Sequence, residues 1–177
     1  MRKVILYIAT SLDGKIARLD GNLDWLEQFP NPDKNDYGYQ ALLNEVDTVL
    51  MGYKTYKYVL DMGIENPYPD KQNYVFTRNA SHQDTSYLQY IREDIPAFVQ
   101  KLKQQAGKAI WLVGGGEINT ILLNAKLIDE IRIAQVPIIL GEGIPLWAKV
   151  PNETVFEVQQ VEQFPSGIVT THLFLKS

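Results

Sequence analysis

Hydrophobic positions along the chain fall into short unbroken runs separated by segments with helical spacing. Val4-Ile5-Leu6-Tyr7-Ile8-Ala9 is an apolar run of six. The turn-forming Ser11-Leu12-Asp13-Gly14 follows it, which predicts a buried strand ending in a loop. Similar runs recur at Thr48-Val49-Leu50-Met51, Tyr74-Val75-Phe76-Thr77 and Ala109-Ile110-Trp111-Leu112-Val113. Half-solvated strands would alternate, so four such runs predict a sheet buried on both faces. Between Asp94 and Ala106, the residues Ile95, Phe98, Val99, Leu102 and Ala106 form one helical stripe. Asp94 is placed to cap that helix, Pro96 sits in its first turn and Gly107 can end it. A second helix is expected to open at Glu117, with Ile118, Ile121, Leu122 and Ala125 on one face. Shorter ones are expected at residues 37–45 and 55–60. Strand and helix in alternation predict a mostly parallel sheet with right-handed crossovers.

The C-terminal part reads differently. Two strand-like runs, 155–164 and 168–176, flank Pro165-Ser166-Gly167, and Val169, Thr171, Leu173 and Leu175 share one face. This predicts a long antiparallel hairpin added to one edge of the sheet. Without a repeat, a low-complexity tract or a linker, the expected organisation is one domain over residues 1–177.

Composition narrows the function. Hydrophobic residues make up 45% of the 177 residues and charged ones 21%, which suits a globular domain. The formal charge is −4, and no basic run could neutralise a series of phosphates, so nucleic acid is an unsuitable partner. With no cysteine, disulfides and thiolate chemistry are excluded, and the two histidines, His82 and His172, lack metal-ligand spacing. No metal is expected. The N-terminal apolar run is too short for a signal peptide or a membrane span, so a soluble, cytoplasmic protein is expected, with no membrane partner.

Three predicted strand ends carry groups suited to phosphate. Leu112-Val113-Gly114-Gly115-Gly116-Glu117-Ile118-Asn119 joins a buried strand to a helix through three glycines. Backbone amides and the helix dipole there favour an anion, and absent side chains allow close approach. The dinucleotide fingerprint needs a sixth-position glycine, which Asn119 replaces, and a tight turn without a ligand also explains the run. Met51-Gly52-Tyr53-Lys54-Thr55-Tyr56 places a cation and a hydroxyl at a helix start, although, taken alone, the segment is better read as Thr55 capping the helix and Lys54 a solvated charge. Thr77-Arg78-Asn79 offers an arginine at a third strand end. Ligands of open α/β sheets collect along that edge.

These segments, together with Ser11-Leu12-Asp13-Gly14-Lys15-Ile16-Ala17, Asp24-Trp25 and Pro137-Ile138-Ile139-Leu140-Gly141-Glu142-Gly143-Ile144-Pro145-Leu146, resemble the dihydrofolate reductase-like superfamily over nearly the whole chain. The branch most similar is the C-terminal reductase domain of bifunctional riboflavin-biosynthesis deaminase/reductase proteins. The resemblance implies a three-layer α/β fold with a mixed, mostly parallel sheet and a C-terminal antiparallel hairpin. It also implies NADPH as cofactor, a homodimer, and hydride transfer to a small pterin-like or pyrimidine-like metabolite in riboflavin biosynthesis. Dihydrofolate reduction and a non-catalytic nucleotide-binding role are the alternatives.

Carried over by resemblance, Ala9, Leu12, Gly14 and Ile16 would lie beside the nicotinamide and its ribose. Gly52, Lys54 and Thr55 would contact phosphates, Thr77 and Arg78 the adenosine 2′-phosphate, and Val113, Gly114, Gly115, Gly116, Glu117 and Ile118 the pyrophosphate and nicotinamide side. A cis peptide is expected between Gly114 and Gly115. Tyr53 stands where the family often has arginine, and Val113 where riboflavin-pathway reductases often have glutamate. Hydride transfer also needs a proton. Asp24 is the candidate donor, with Trp25 as pocket wall; alternatively Asp24 is the N-cap of a short helix and Trp25 a staple into the core.

Overall fold

The computed structural model describes residues 1–176. In chain order the elements are β1 (Val4–Thr10), β2 (Lys15–Ala17), a 3-10 turn (Asp24–Gln28), α1 (Tyr39–Glu45), β3 (Val46–Gly52), α2 (Tyr53–Asp61), β4 (Gln72–Phe76) and β5 (Leu88–Ile91). There follow α3 (Ile95–Gln104), β6 (Ala109–Gly114), α4 (Gly116–Asn124), β7 (Glu130–Gln135), β8 (Ile144–Pro145), β9 (Phe156–Gln163) and β10 (Val169–Leu175). Eight strands form one sheet in the order β5-β4-β3-β6-β1-β7-β10-β9, and β2 pairs with β8.

From β5 to β7 every neighbouring pair is parallel, and β10 then runs antiparallel to both β7 and β9. The sheet is therefore mixed, mostly parallel and edged by the hairpin. Strand alternation feeds two separate cores. Val4 and Leu6 of β1 pack with Leu50, Leu112 and the inner faces of α3 and α4. Ile5 points the other way, toward Val49, Trp111, Leu42 of α1 and Tyr56 of α2. Each fully buried leucine here contributes about 2 kcal/mol of transfer free energy. A third, smaller cluster of Trp25, Ala134, Val136 and Ile168 closes the end of the sheet next to the C-terminus of β1.

Asp94 caps α3 as its spacing suggests, its carboxylate accepting from the Ala97 amide at 2.9 Å. α2 begins at Tyr53, two residues before the expected start, because it leaves β3 without an intervening loop. Strand β7 escapes the apolar-run criterion: Glu130 and Arg132 interrupt it, both largely buried and joined at 2.6 Å by an ion pair. β2, β5 and β8 are too short to stand out by pattern. No peptide bond among the described residues is cis, so the bond expected to be cis at Gly114-Gly115 is trans. Both residues instead take positive φ, 106° and 91°, a conformation glycine alone adopts without strain. Among the described residues no helix is long and apolar enough to cross a membrane.

Candidate functional site

The C-terminal ends of the parallel strands gather most of the residues singled out above. β3 ends at Gly52 and β6 at Gly114, and the helices that follow have glycine at the N-cap with no side-chain cap. The first-turn amides of α2 and α4 therefore remain available to a ligand, with the positive ends of both dipoles beside them. Between Leu112 and Gly114 the register of β6 against β3 slips, leaving Val113 as an extra residue. Bulges of this kind re-aim a strand end.

The two helix starts are in contact. The Thr55 hydroxyl donates to the Gly114 carbonyl at 3.3 Å. A Cβ at Gly115 would lie 3.1 Å from Thr55 Oγ1, and one at Gly52 would lie 3.2 Å from Ile118 Cγ1. Side chains at these glycines would crowd the cradle. Lys54, Arg78 and Glu117 are exposed around it, and neither Lys54 nor Arg78 has an ion-pair partner among the described residues. Thr77 lies at the next strand end, its hydroxyl 3.1 Å from His82 Nδ1 and accepting from the Asn79 amide at 3.1 Å.

Gly116 has a different reason to be glycine. Its Cβ would overlap the Pro145 carbonyl oxygen, so it is a packing position. Residues 138–148 form a strap joining the glycine turn to the loop after β1. The Ala148 amide donates to the Gly116 carbonyl at 3.2 Å, and Asn119 Nδ2 donates to the Leu146 carbonyl at 3.1 Å. From the other side, the Leu146 amide donates to the Gly14 carbonyl at 2.9 Å and the Leu12 amide to the Ile138 carbonyl at 2.8 Å. Asp13 completes the tie, accepting from the Ser11 hydroxyl at 2.6 Å and from the Leu140 and Gly141 amides at 3.0 and 2.9 Å. The Ser11 hydrogen bond, then that from Leu140, draws its carboxyl down to about 2. The strap thus fixes Leu12, Gly14 and Ile16 relative to the glycine turn, with Ala9 at the end of β1.

Asp24 does not suit the role of proton donor. Arg18 binds its carboxylate through Nε at 2.6 Å and Nη2 at 3.2 Å, and this hydrogen bonding lowers its pKa, so at neutral pH it carries no proton to give. Trp25, expected as a pocket wall, is packed into the core instead. It is fully buried against a cluster that includes Ala134 and Val136, with Ala9 and Leu140 packed on it, and its indole N–H has no partner. Leu140 also lines an open recess of about 380 Å³ with Arg18, Leu19, Asp20 and Glu142.

Residues 2–170 match the family model described as the RibD C-terminal domain. The chain belongs to the RibD C-terminal domain family. It is 40% identical over 167 residues to the uncharacterized protein YwjB of Bacillus subtilis (strain 168), covering 94% of this chain and 95% of that one. A crystal structure of a Shewanella sp. PV-4 protein, provisionally named for riboflavin biosynthesis, superposes with a TM-score of 0.87 at 31% identity, over 99% of both chains. At 17% identity, 99% of the chain matches 57% of a Thermotoga maritima deaminase/5-amino-6-(5-phosphoribosylamino)uracil reductase, with a TM-score of 0.73. Dihydrofolate reductase from Enterococcus faecalis, 13% identical, matches with a TM-score of 0.71 over 99% of this chain and 97% of its own. The fold is dihydrofolate reductase-like.

Within this RibD C-terminal domain, both departures from the family pattern have structural accommodation. Tyr53 stacks on His82 with ring centroids 4.1 Å apart, and Val113 packs into the core that Trp111 anchors. His82, Asn119 and Asp13 are the site residues that the sequence pattern does not single out. His82 lies 29 positions from Tyr53 and so shares no local pattern with it. Asn119 sits on the buried face of α4, where a polar residue amid apolar neighbours is the available signal.

Proposed function

We propose that this RibD C-terminal domain protein is an NADPH-dependent reductase acting on a small pterin-like or pyrimidine-like metabolite. The observation that carries it is the pair of uncapped helix N-termini meeting at one glycine-lined cradle, with unpaired Lys54 and Arg78 on the same sheet edge. The amides of α2 and α4, with Lys54 and Thr55, would hold the pyrophosphate, and Thr77 and Arg78 the 2′-phosphate. Ala9 and the strapped loop Leu12 to Ile16 would orient the nicotinamide end, and Leu140, backed by the buried Trp25, would exclude water from one side of it. NADPH, when bound, would supply the hydride to a C=N, C=C or C=O carbon. With Asp24 held by Arg18, solvent entering through the open recess would supply the accompanying proton.

The test is NADPH binding and its oxidation in the presence of dihydropterins and aminouracils. Binding with turnover supports the reductase; binding without turnover on any of them favours a non-catalytic nucleotide-binding protein, and turnover on dihydrofolate alone favours dihydrofolate reductase. We include a homodimer in the proposal, supported by the solvent-exposed Val155, Val158 and Val161 in and beside edge strand β9; light scattering giving the mass of one chain would remove it.

A further inference from the structure

The proposed substrate compartment differs in charge from the cofactor cradle. Its sole arginine, Arg18, is held by both oxygens of Asp24. Asp20 and Glu142 line the same recess. Asp13, on the neighbouring loop, has its carboxylate engaged by backbone amides, and Lys15 packs its stem along Gly143. Two carboxylates thus line the recess beside one cation, which is already paired. A phosphate entering here would be repelled more than it is attracted, at distances where such interactions are only partly screened.

The uncharged surface points the same way. Leu12, Leu19 and Ile139 are 53%, 68% and 71% exposed on the loops that frame the compartment. Leu140 and Leu19 line the recess, and behind it Leu140 packs on the buried cluster of Trp25, Ala134 and Val136. Exposed apolar side chains gathered around a recess mark a surface that takes an apolar or flat ligand.

Building on the reductase proposal, we infer that this compartment takes an unphosphorylated heterocycle and selects against its phosphorylated counterpart. Phosphate recognition is confined to the cofactor cradle. The compartment grips its ligand through flat apolar contact, and the Arg18–Asp24 pair withholds the arginine from anions.

A matched pair of probes tests this: 5-amino-6-ribosylaminouracil and its 5′-phosphate, titrated into the protein with tryptophan fluorescence as readout. The wild type is expected to bind the riboside at least as tightly as the phosphate. Asp24→Asn, which frees Arg18, should shift the affinity ratio toward the phosphate by about fivefold to tenfold, whereas Arg18→Ala should change it by less than about twofold. Both side chains are partly exposed, at 38% and 49%, so neither variant threatens folding. A wild-type preference of tenfold or more for the phosphate, abolished by Lys15→Ala or Arg18→Ala, would overturn the inference. So would failure of both probes to bind. NADPH binding, followed separately by calorimetry, reports on the reductase proposal itself, so loss of that proposal is distinguishable from a wrong substrate class.

Discussion

The proposed cofactor cradle and the proposed substrate compartment lie on either side of the same strap, yet they use opposite materials. The cradle is made mostly of backbone: two helix N-termini and glycines where a Cβ would be crowded, with two cations that have no carboxylate partner among the described residues. The compartment is made of side chains: exposed leucines and an isoleucine, and carboxylates, one of which occupies the nearby arginine. On the proposed reading an anion is favoured on one side and disfavoured on the other, although both are formed by the ends of neighbouring strands. The difference shows that a strand edge does not by itself select a ligand; the residues placed just beyond it do.

The sharpest break between the two sides would come from the strap. Gly116→Ala pushes a methyl group into the Pro145 carbonyl, and overpacking against backbone should cost about 3 kcal/mol. For a chain of this size that lowers Tm by about 6 to 12 °C, which thermal unfolding would register; an unchanged Tm would mean that the strap is not packed as described. A smaller effect, confined to the cradle, is expected from Arg78→Ala. Loss of a charge-assisted contact to the 2′-phosphate should weaken NADPH by about tenfold to a hundredfold and NADH by less than about threefold, while Arg18→Ala leaves both nucleotides unaffected. Equal weakening of NADPH and NADH would remove Arg78 from that role.

Asn119→Ala should cost about 1 to 2 kcal/mol in urea unfolding, because it strands the buried Leu146 carbonyl. NADPH affinity should fall with it as the glycine turn loosens from the strap. The smallest effect is one of pH. Asp13 has its folded pKa drawn down to about 2, below the value of about 3.9 expected unfolded. Its contribution is therefore complete above pH ~4 and lost as pH falls toward 2. The stability difference between wild type and Asp13→Ala should be constant near neutrality and shrink in that acid window; a difference that grows there would contradict the assignment.

Much of this was legible in local pattern. The Asp94 cap, the apolar runs of β1, β3, β4 and β6, and the glycines at two strand ends are decided by neighbours in sequence, and the sheet and the cradle follow from them. β7 was hidden because its charges are neutralised within its own buried ion pair, which no hydropathy pattern shows. Asp24 looked available as an acid because its partner, Arg18, is six residues away and becomes a partner only once β2 and the 3-10 turn are placed. The packing reason for Gly116 was hidden because the Pro145 carbonyl that excludes a side chain arrives from nearly thirty residues downstream. Local chemistry is written in the sequence, whereas the reasons that come from across the fold are not.

Calorimetric titration of the wild-type protein with NADPH, and separately with NADH, addresses the cradle without requiring a known substrate. Saturable binding of one NADPH per chain, at least tenfold tighter than NADH, is the expected result. No saturable heat with NADPH, or equal affinity for the two nucleotides, would contradict the assignment of this strand edge to NADPH.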